Sequence, residues 1–306
     1  MPATDGPRQV IGIDLGGTAI KAGAIRADGT ILEHRQIPTQ LERGAEDLLD
    51  RMAQLVRELG FEGRAGIGSP GLIDARGGRV LQSPNLACLE RVDLLAGLAR
   101  RLGVEPGALA LENDANAAAY GEHWLGRGRN EQDFLLVTLG TGVGGGLILG
   151  GELYAGPCGM AGEVGHMVVD PRGPRCGCGR LGCLETLASA TAAMRRAAES
   201  GLGTDLSALA QAARRAAGPE RELLHEVGCD LGRGLASVVT LLDLRCFVIG
   251  GGFGAALDTL VEGAHAGLAE RCFGERVDTV RILPAELGAD AGWIGAARLK
   301  HPSRRI

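Results

Sequence analysis

The sequence predicts an α/β protein of two lobes, and three observations carry that prediction. At 306 residues the chain can bury a substantial core and divide into two lobes. A unit of apolar strand, glycine turn, returning strand and hairpin turn opens the chain at Val10 and recurs at Phe134, which reads as an internal duplication. The 51 glycines fall in discrete turns behind apolar runs instead of in low-complexity linkers. Phosphate-cradling folds use glycine in this way.

Taken in order, residues 10–13 form a short β-branched run that ends in Asp14-Leu15-Gly16-Gly17-Thr18 and resumes over 20–25, giving strand, tight turn, strand. Asp28-Gly29 marks the next turn and 31–37 a third strand. Leu48, Leu49, Met52, Leu55, Val56 and Leu59 share one helical face, which predicts a helix over 45–59. A strand over 64–68 stops at Ser69-Pro70-Gly71, a helix covers 94–102, and a short strand over 108–111 leads into Glu112-Asn113-Asp114. The duplicated unit follows as strand 134–139, turn Gly140-Thr141-Gly142, strand 144–149 and turn Gly150-Gly151. Helices are predicted over 187–200, 205–217 and 222–242. A last buried strand over 246–249 runs into Gly250-Gly251-Gly252, and an amphipathic helix covers 293–300. The expected organisation is an N-terminal α/β lobe over 1–115, with a C-terminal helix in 290–306 packing back on it, and a C-terminal α/β lobe over 116–289.

Composition narrows the function. A net charge of −5 argues against a general nucleic-acid binder. No N-terminal apolar signal segment and no apolar run of bilayer length occur, so neither secretion nor membrane insertion is expected. Eight cysteines without a signal peptide point to reduced thiols and a cytoplasmic location.

The densest chemistry lies between His166 and Cys183. His166, Cys176, Cys178 and Cys183 fall within eighteen residues, with Gly177, Gly179 and Gly182 letting a short loop fold back on itself. One imidazole and three thiolates form a common tetrahedral zinc set, and a shell filled by protein ligands makes the zinc structural. Cys88, Cys158, Cys229, Cys246 and Cys272 are scattered and suit ordinary buried thiols. The zinc loop would hold Glu163, His166 and Glu185 in place.

The glycine turns supply the second constellation. Backbone N–H groups and Thr hydroxyls at Gly16, Gly17 and Thr18, and at Gly140, Thr141 and Gly142, would hold phosphate oxygens, with Asp14 placed to hold Mg²⁺ through water. Gly250, Gly251 and Gly252 would let an adenine or ribose approach the backbone. Neither a Walker A loop nor a dinucleotide fingerprint is present: Gly140-x-Gly142-x-x-Gly145 is followed by strand and turn, with no helix to face a pyrophosphate.

Six segments, in order along nearly the whole chain, resemble the ROK family (repressors, open reading frames and sugar kinases). They are Asp14-Leu-Gly-Gly-Thr18, Glu112-Asn-Asp-Ala-Asn116, Leu139-Gly-Thr-Gly-Val143, Gly162-Glu-Val-Gly-His166, Cys176-Gly-Cys-Gly-Arg-Leu-Gly-Cys183-Leu-Glu185 and Val248-Ile-Gly-Gly-Gly252. The resemblance implies an actin-like, ribonuclease-H-like duplicated fold whose interlobe cleft closes on a sugar and ATP. It implies Asp114 as the base that takes the proton of a sugar hydroxyl, and Asn113, Glu163, His166 and Glu185 as hydroxyl ligands, with Gly71 and Asn85 on the sugar-side loops. His166 would use one ring nitrogen on zinc and the other on the sugar. Asp14, Gly16, Gly17, Thr18, Gly140, Thr141 and Gly142 would surround Mg²⁺ and the phosphates. Homodimers or homotetramers are common in the family.

Each residue also has a plainer expectation. Asp114 opens a helix and fits an ordinary N-cap. Glu163 and Glu185 fit solvated loop positions, Asn85 a turn residue after Pro84, and Lys21 a strand face. The family often carries Trp where Leu89 stands and a polar residue where Ala19 stands; neither change removes a group the reaction needs. The expected activity is ATP-dependent phosphorylation of a hexose, glucose to glucose 6-phosphate first. Fructose, mannose, N-acetylmannosamine and N-acetylglucosamine are alternative substrates, and a non-catalytic sugar-sensing regulator is an alternative of another class. Nine residues precede Val10, too few for a helix-turn-helix.

Overall fold

A computed structural model describes residues 8–83 and 85–300; the expected helical segment beyond residue 300, and Pro84 of the turn before Asn85, lie outside the described residues. The chain separates into two compact units, one of Met1–Asn130, Glu152–Ala161 and Ala289–Ile306, the other of Glu131–Gly151 and Gly162–Gly288.

In the first unit β1 (Val10–Leu15) turns back into β2 (Ala19–Ile25), and β3 (Ile31–Pro38) continues the antiparallel meander. β4 (Ala65–Ser69) and β7 (Leu109–Asn113) add in parallel, giving the order β3-β2-β1-β4-β7. β5 (Leu72–Asp74) and β6 (Arg79–Gln82) form a separate hairpin that the sequence reading did not foresee. The two-residue period of β1 sends Ile11, Ile13 and Leu15 into a core with α1 (Gly44–Glu58) and α2 (Leu94–Leu102). Asp93 caps α2 by accepting from the Ala96 N–H at 3.1 Å, and Gly103 ends it in the left-handed region.

The opposite face of the sheet carries α10 (Ala291–Arg298), which packs in turn on α3 (Asp114–Leu125). Glycine makes this approach possible. A Cβ on Gly12 would overlap the Trp293 carbonyl oxygen, and one on Gly66 the Ala296 carbonyl oxygen. The Trp293 ring is fully buried and its Nε1–H donates to Asp290 at 2.8 Å, so its apolar surface is removed from water without orphaning its polar tip. The short β10 (Glu152–Leu153) lies beside α3, where the Tyr120 hydroxyl donates to Glu152 at 3.3 Å.

In the second unit β8 (Phe134–Leu139) and β9 (Val143–Leu149) repeat the antiparallel opening, and β11 (Cys246–Gly250) and β12 (Arg281–Pro284) add in parallel in the order β9-β8-β11-β12. β12 follows the strand expected to be the last one. The helix expected over 187–200 is two helices, α4 (Leu184–Ala188) and α5 (Ala190–Glu199), because the Ser189 hydroxyl caps α5 by accepting from the Ala192 N–H. α6 (Leu206–Arg215), α7 (Pro219–Leu242), α8 (Leu257–Ala269) and the single turn α9 (Gly274–Val277) complete the unit. α7 and α8 pack backbone to backbone, since a Cβ on Gly228, Gly232, Gly263 or Gly267 would overlap the other helix's carbonyl oxygens. Among the described residues no helix is long and apolar enough to cross a membrane.

Candidate active site and metal centre

In the first unit the ends of three parallel strands bring the predicted residues together. Asp14 is the penultimate residue of β1, β4 ends at Ser69 and β7 at Asn113, and such carboxyl ends are where open α/β sheets bind ligands. Asn113, not Asp114, is the N-cap of α3: its Oδ1 accepts from the Ala115 N–H at 2.9 Å and the Asn116 N–H at 3.2 Å. Its amide also donates to the Gly71 carbonyl at 3.2 Å, which leaves one amide N–H for a ligand. Asp114 is thereby the first helical residue, at the positive end of α3, where its Oδ1 also accepts from the Ala115 N–H at 2.9 Å. Gly68 allows this, as a Cβ there would stand 3.5 Å from the Asp114 Cα and 3.0 Å from the Ala117 Cβ.

Asp14 lies on the α10 side of the sheet, where a Cβ on Gly292 would come within 2.9 Å of its Cγ. Burial raises its carboxyl to about 6, the Asp114 charge pushes the same way, and Lys21, paired across β2, opposes both. Two carboxylates in mutual electrostatic reach, one of them largely withdrawn from water, are suited to a divalent cation. Behind them Glu112 is buried and raised by desolvation, partly offset by hydrogen bonds from Asn116 Nδ2 (3.0 Å) and the Asn113 N–H (2.9 Å). The sequence reading assigned Glu112 no role; its place in the Glu-Asn-Asp triplet was the available signal.

The adjoining turn leaves Gly16 and Gly17 half-buried and Thr18 exposed. Fully buried Thr39 braces it, its hydroxyl donating to the Gly16 carbonyl at 2.6 Å and its N–H to the Thr18 carbonyl at 2.9 Å. Asn85 packs against it, since a Cβ on Gly17 would stand 3.1 Å from the Asn85 carbonyl oxygen. Gly71, at φ 103°, has no room for a side chain because Gln82 and Ser83 fill that space.

In the second unit Gly140 and Gly142 are half-buried and Thr141 exposed, the same pattern. Gly251, at φ 81°, packs on the Leu139 carbonyl oxygen, which sets the 250–252 glycines beside this turn. A mostly apolar cavity of about 440 Å³, lined by Ile249, Gly250, Gly251, Leu257, Val261 and Pro284 among others, opens there. That volume suits a nucleoside.

The loop after His166 folds as its glycines require. The Cys176 N–H donates to the Arg180 carbonyl and the Gly179 N–H to the Cys176 carbonyl, closing a tight turn with Gly179 at φ 92°. Gly182, at φ 65°, is pressed on the Asp170 carbonyl, and Cys183 then opens α4. One ligand atom from each of His166, Cys176, Cys178 and Cys183 lies within 4.8 Å of all the others. The Cys178 and Cys183 sulfurs are 3.6 Å apart, and Cys176 Sγ is 3.6 Å from His166 Nδ1. Tetrahedral zinc, with bonds of about 2.3 Å to sulfur and about 2.0 Å to nitrogen, needs S···S of about 3.8 Å and S···N of about 3.5 Å. The donor set and its spacing therefore fit that ion. Burial raises the Cys176 and Cys183 thiols, Cys183 to about 12, while a backbone N–H from Arg180 lowers Cys178 to about 7. A bound cation favours the thiolate at all three.

His166 turns Nδ1 toward the thiols and Nε2 toward Glu163, whose Oε2 is 4.0 Å away. Glu185 is placed differently: Oε2 accepts from the Val143 N–H at 3.2 Å, and Oε1 is 3.7 Å from Cys176 Sγ. Thr191, which the sequence reading passed over, donates its hydroxyl to the Thr141 carbonyl at 2.8 Å. Ser189, a residue type favoured at helix N-caps and two positions before Thr191, was the available signal.

Two α/β units that each open on strand, glycine turn and strand define an actin-like ATPase fold, here with a Cys/His cluster able to hold a metal ion. A model of the ROK family matches residues 10–302, and the chain belongs to that family. It is similar to the glucokinase of Thermotoga maritima, 36% identical over 95% of this chain and 96% of that protein. It is 35% identical to an N-acetylmannosamine kinase of Shigella flexneri, over 95% and 97% of the two chains. A ROK family glucokinase from Streptomyces griseus, solved in complex with glucose and AMPPNP, superposes with a TM-score of 0.79 at 34% identity, covering 95% of this chain and 99% of the other.

Proposed function

We propose that this protein is an ATP-dependent sugar kinase that transfers the γ-phosphoryl group of ATP to a hexose hydroxyl, with glucose as acceptor and glucose 6-phosphate as product. The observation that carries the reading is the pairing of Asp14 with Asp114 at the strand ends, beside an open glycine turn braced from behind by Thr39. Similarity to a glucokinase over nearly the whole chain supports the choice of acceptor.

In this reading Asp114 binds the acceptor hydroxyl and receives its proton. Phosphoryl transfer passes through a loose transition state in which the acceptor is scarcely deprotonated, so Asp114 acts mainly by orienting the oxygen and takes the proton late. Asn113 offers its remaining amide N–H to a neighbouring hydroxyl, while Glu163 and Glu185 offer carboxylate oxygens and His166 offers Nε2; Gly71 and Asn85 shape the loop beside them. Asp14, with Asp114, would hold Mg²⁺, which supplies charge neutralisation at the phosphates. Gly16, Gly17, Thr18, Gly140, Thr141 and Gly142 present N–H and hydroxyl donors to phosphate oxygens. The cavity at Gly250, Gly251 and Gly252 receives the adenine and ribose. Zinc on His166, Cys176, Cys178 and Cys183 would fix the plane and tautomer of the His166 ring.

The similarity to an N-acetylmannosamine kinase favours a second acceptor, because N-acetylmannosamine differs from glucose only at C2, where an acetamido group of inverted configuration replaces one hydroxyl. A coupled ADP-release assay with Mg-ATP across hexoses and N-acetylhexosamines decides. Glucose is expected to give the highest kcat/KM. A preference for N-acetylmannosamine selects the second reading, and no turnover with any sugar rejects both.

A further inference from the structure

Glu185 does more in the second unit than line a sugar site. The turn 140–143 is tied to the segment that follows the metal loop at three points. The Val143 N–H donates to Glu185 Oε2 at 3.2 Å, the Ala190 N–H donates to the Gly140 carbonyl at 2.9 Å, and the Thr191 hydroxyl donates to the Thr141 carbonyl at 2.8 Å. Gly142 is shaped around this contact, since a Cβ there would overlap Glu185 Oε2. The segment is anchored at its start by Cys183, whose neighbour Leu184 donates its N–H to the Met167 carbonyl at 2.9 Å, next to His166.

We propose that Glu185 is a positioning residue through which the Cys/His metal centre sets the geometry of the 140–143 turn, so that the metal governs phosphate binding as well as sugar binding. The chemical argument concerns the two carboxylate oxygens. Oε2 is a charged acceptor for a backbone N–H, the stronger kind of hydrogen bond. Oε1 lies 3.7 Å from Cys176 Sγ, so the same carboxylate touches the turn and a residue of the Cys/His cluster. One side chain thereby joins the acceptor site, the metal centre and the phosphate turn. The phosphate half of this inference rests on the kinase reading; the clamp on the turn does not.

The test uses the zinc-loaded protein and two readouts without sugar: deuterium exchange of the 140–143 amides, and ADP affinity by calorimetry. Glu185→Ala should speed exchange at 142–143 on the order of tenfold and weaken ADP about tenfold, with Glu185→Gln recovering part of both because its amide oxygen still accepts from Val143. Thr191→Val touches no metal ligand and should weaken ADP about threefold, which keeps the test open if Glu185→Ala fails to fold. Withdrawing zinc from the wild type with a chelator should speed the same amides. Exchange unchanged in both Glu185→Ala and Thr191→Val overturns the clamp, even if sugar affinity falls. Faster exchange with unchanged ADP affinity overturns its bearing on phosphate. A wild-type protein that binds no ADP instead rejects the kinase reading and leaves exchange to judge the clamp.

Discussion

The two glycine turns of the duplicated hairpins both join antiparallel strands, with four residues in the first and three in the second, and differ most in what stands behind them. In the first, Leu15 pairs with Ile20 across the turn and Asp14 with Lys21; in the second, Leu139 pairs with Val143 and Thr138 with Gly144. The carboxylate of one hairpin is replaced by a neutral hydroxyl in the other. Support differs as well. The first turn is braced by buried Thr39 from its own meander, the second by Glu185 and Thr191 from a segment more than forty residues on. Duplication copied a backbone that offers N–H donors. The later chemistry divided, with ionisable groups in one copy and, in the other, a clamp from the segment that follows the Cys/His cluster.

The sharpest way to break that contrast is Asp114→Asn. Turnover should fall by about a thousandfold while sugar affinity by calorimetry stays within about threefold of wild type. Retained turnover would remove the reactive carboxylate from the first unit. Next in size is the metal centre. Stoichiometric zinc is expected by elemental analysis, and Cys178→Ala should lower the melting temperature by roughly 10 °C and weaken sugar binding with it. A metal-free native protein of unchanged stability would leave the second turn without its anchor.

Asp14 gives a pH test. Its folded carboxyl titrates near about 6 against an ordinary value of 3.8, so between those values the folded state binds more protons than the unfolded one. Its contribution to stability is therefore greatest at low pH and is lost as pH rises through that window. Compared by denaturant titration, Asp14→Asn should gain on the wild type from pH 4 to pH 7 by about 2 kcal/mol, and saturating Mg²⁺ should shrink the gain by favouring the charged form. A difference flat in pH would show that Asp14 carries no such strain. The smallest effect compares the turns directly. Gly142→Ala displaces Glu185 and should weaken ADP about fivefold, whereas Gly17→Ala meets only Asn85, its carbonyl oxygen at 3.1 Å and its Cβ at 3.4 Å, and should weaken it about twofold. Equal effects would erase the distinction between the two supports.

Much of this was legible in the letters because the signals are local. Strand–glycine–strand repeats follow from β-branched runs and turn chemistry, and a Cys-x-Cys-x4-Cys run has few readings besides a metal. The α4–α5 break was missed because apolar periodicity runs through Ser189, and only its hydroxyl on the Ala192 N–H separates the helices. The 72–82 hairpin was missed because its strands are short and bordered by a glycine-rich turn that reads as loop.

By itself the sequence determined the duplicated hairpins, which Cys and His residues cluster and the run of residues at each strand end, since these depend on neighbours a few positions apart. Only the tertiary structure decided that Asn113 caps α3 with Asp114 as its first residue, that Asp14 is largely withdrawn from water within electrostatic reach of a second carboxylate, and that Glu185 holds Val143. Those facts depend on which distant backbone approaches which side chain, and on how far water is excluded there. Glycines 12, 66 and 142 record such approaches in the sequence, but what they make room for becomes visible only in the fold.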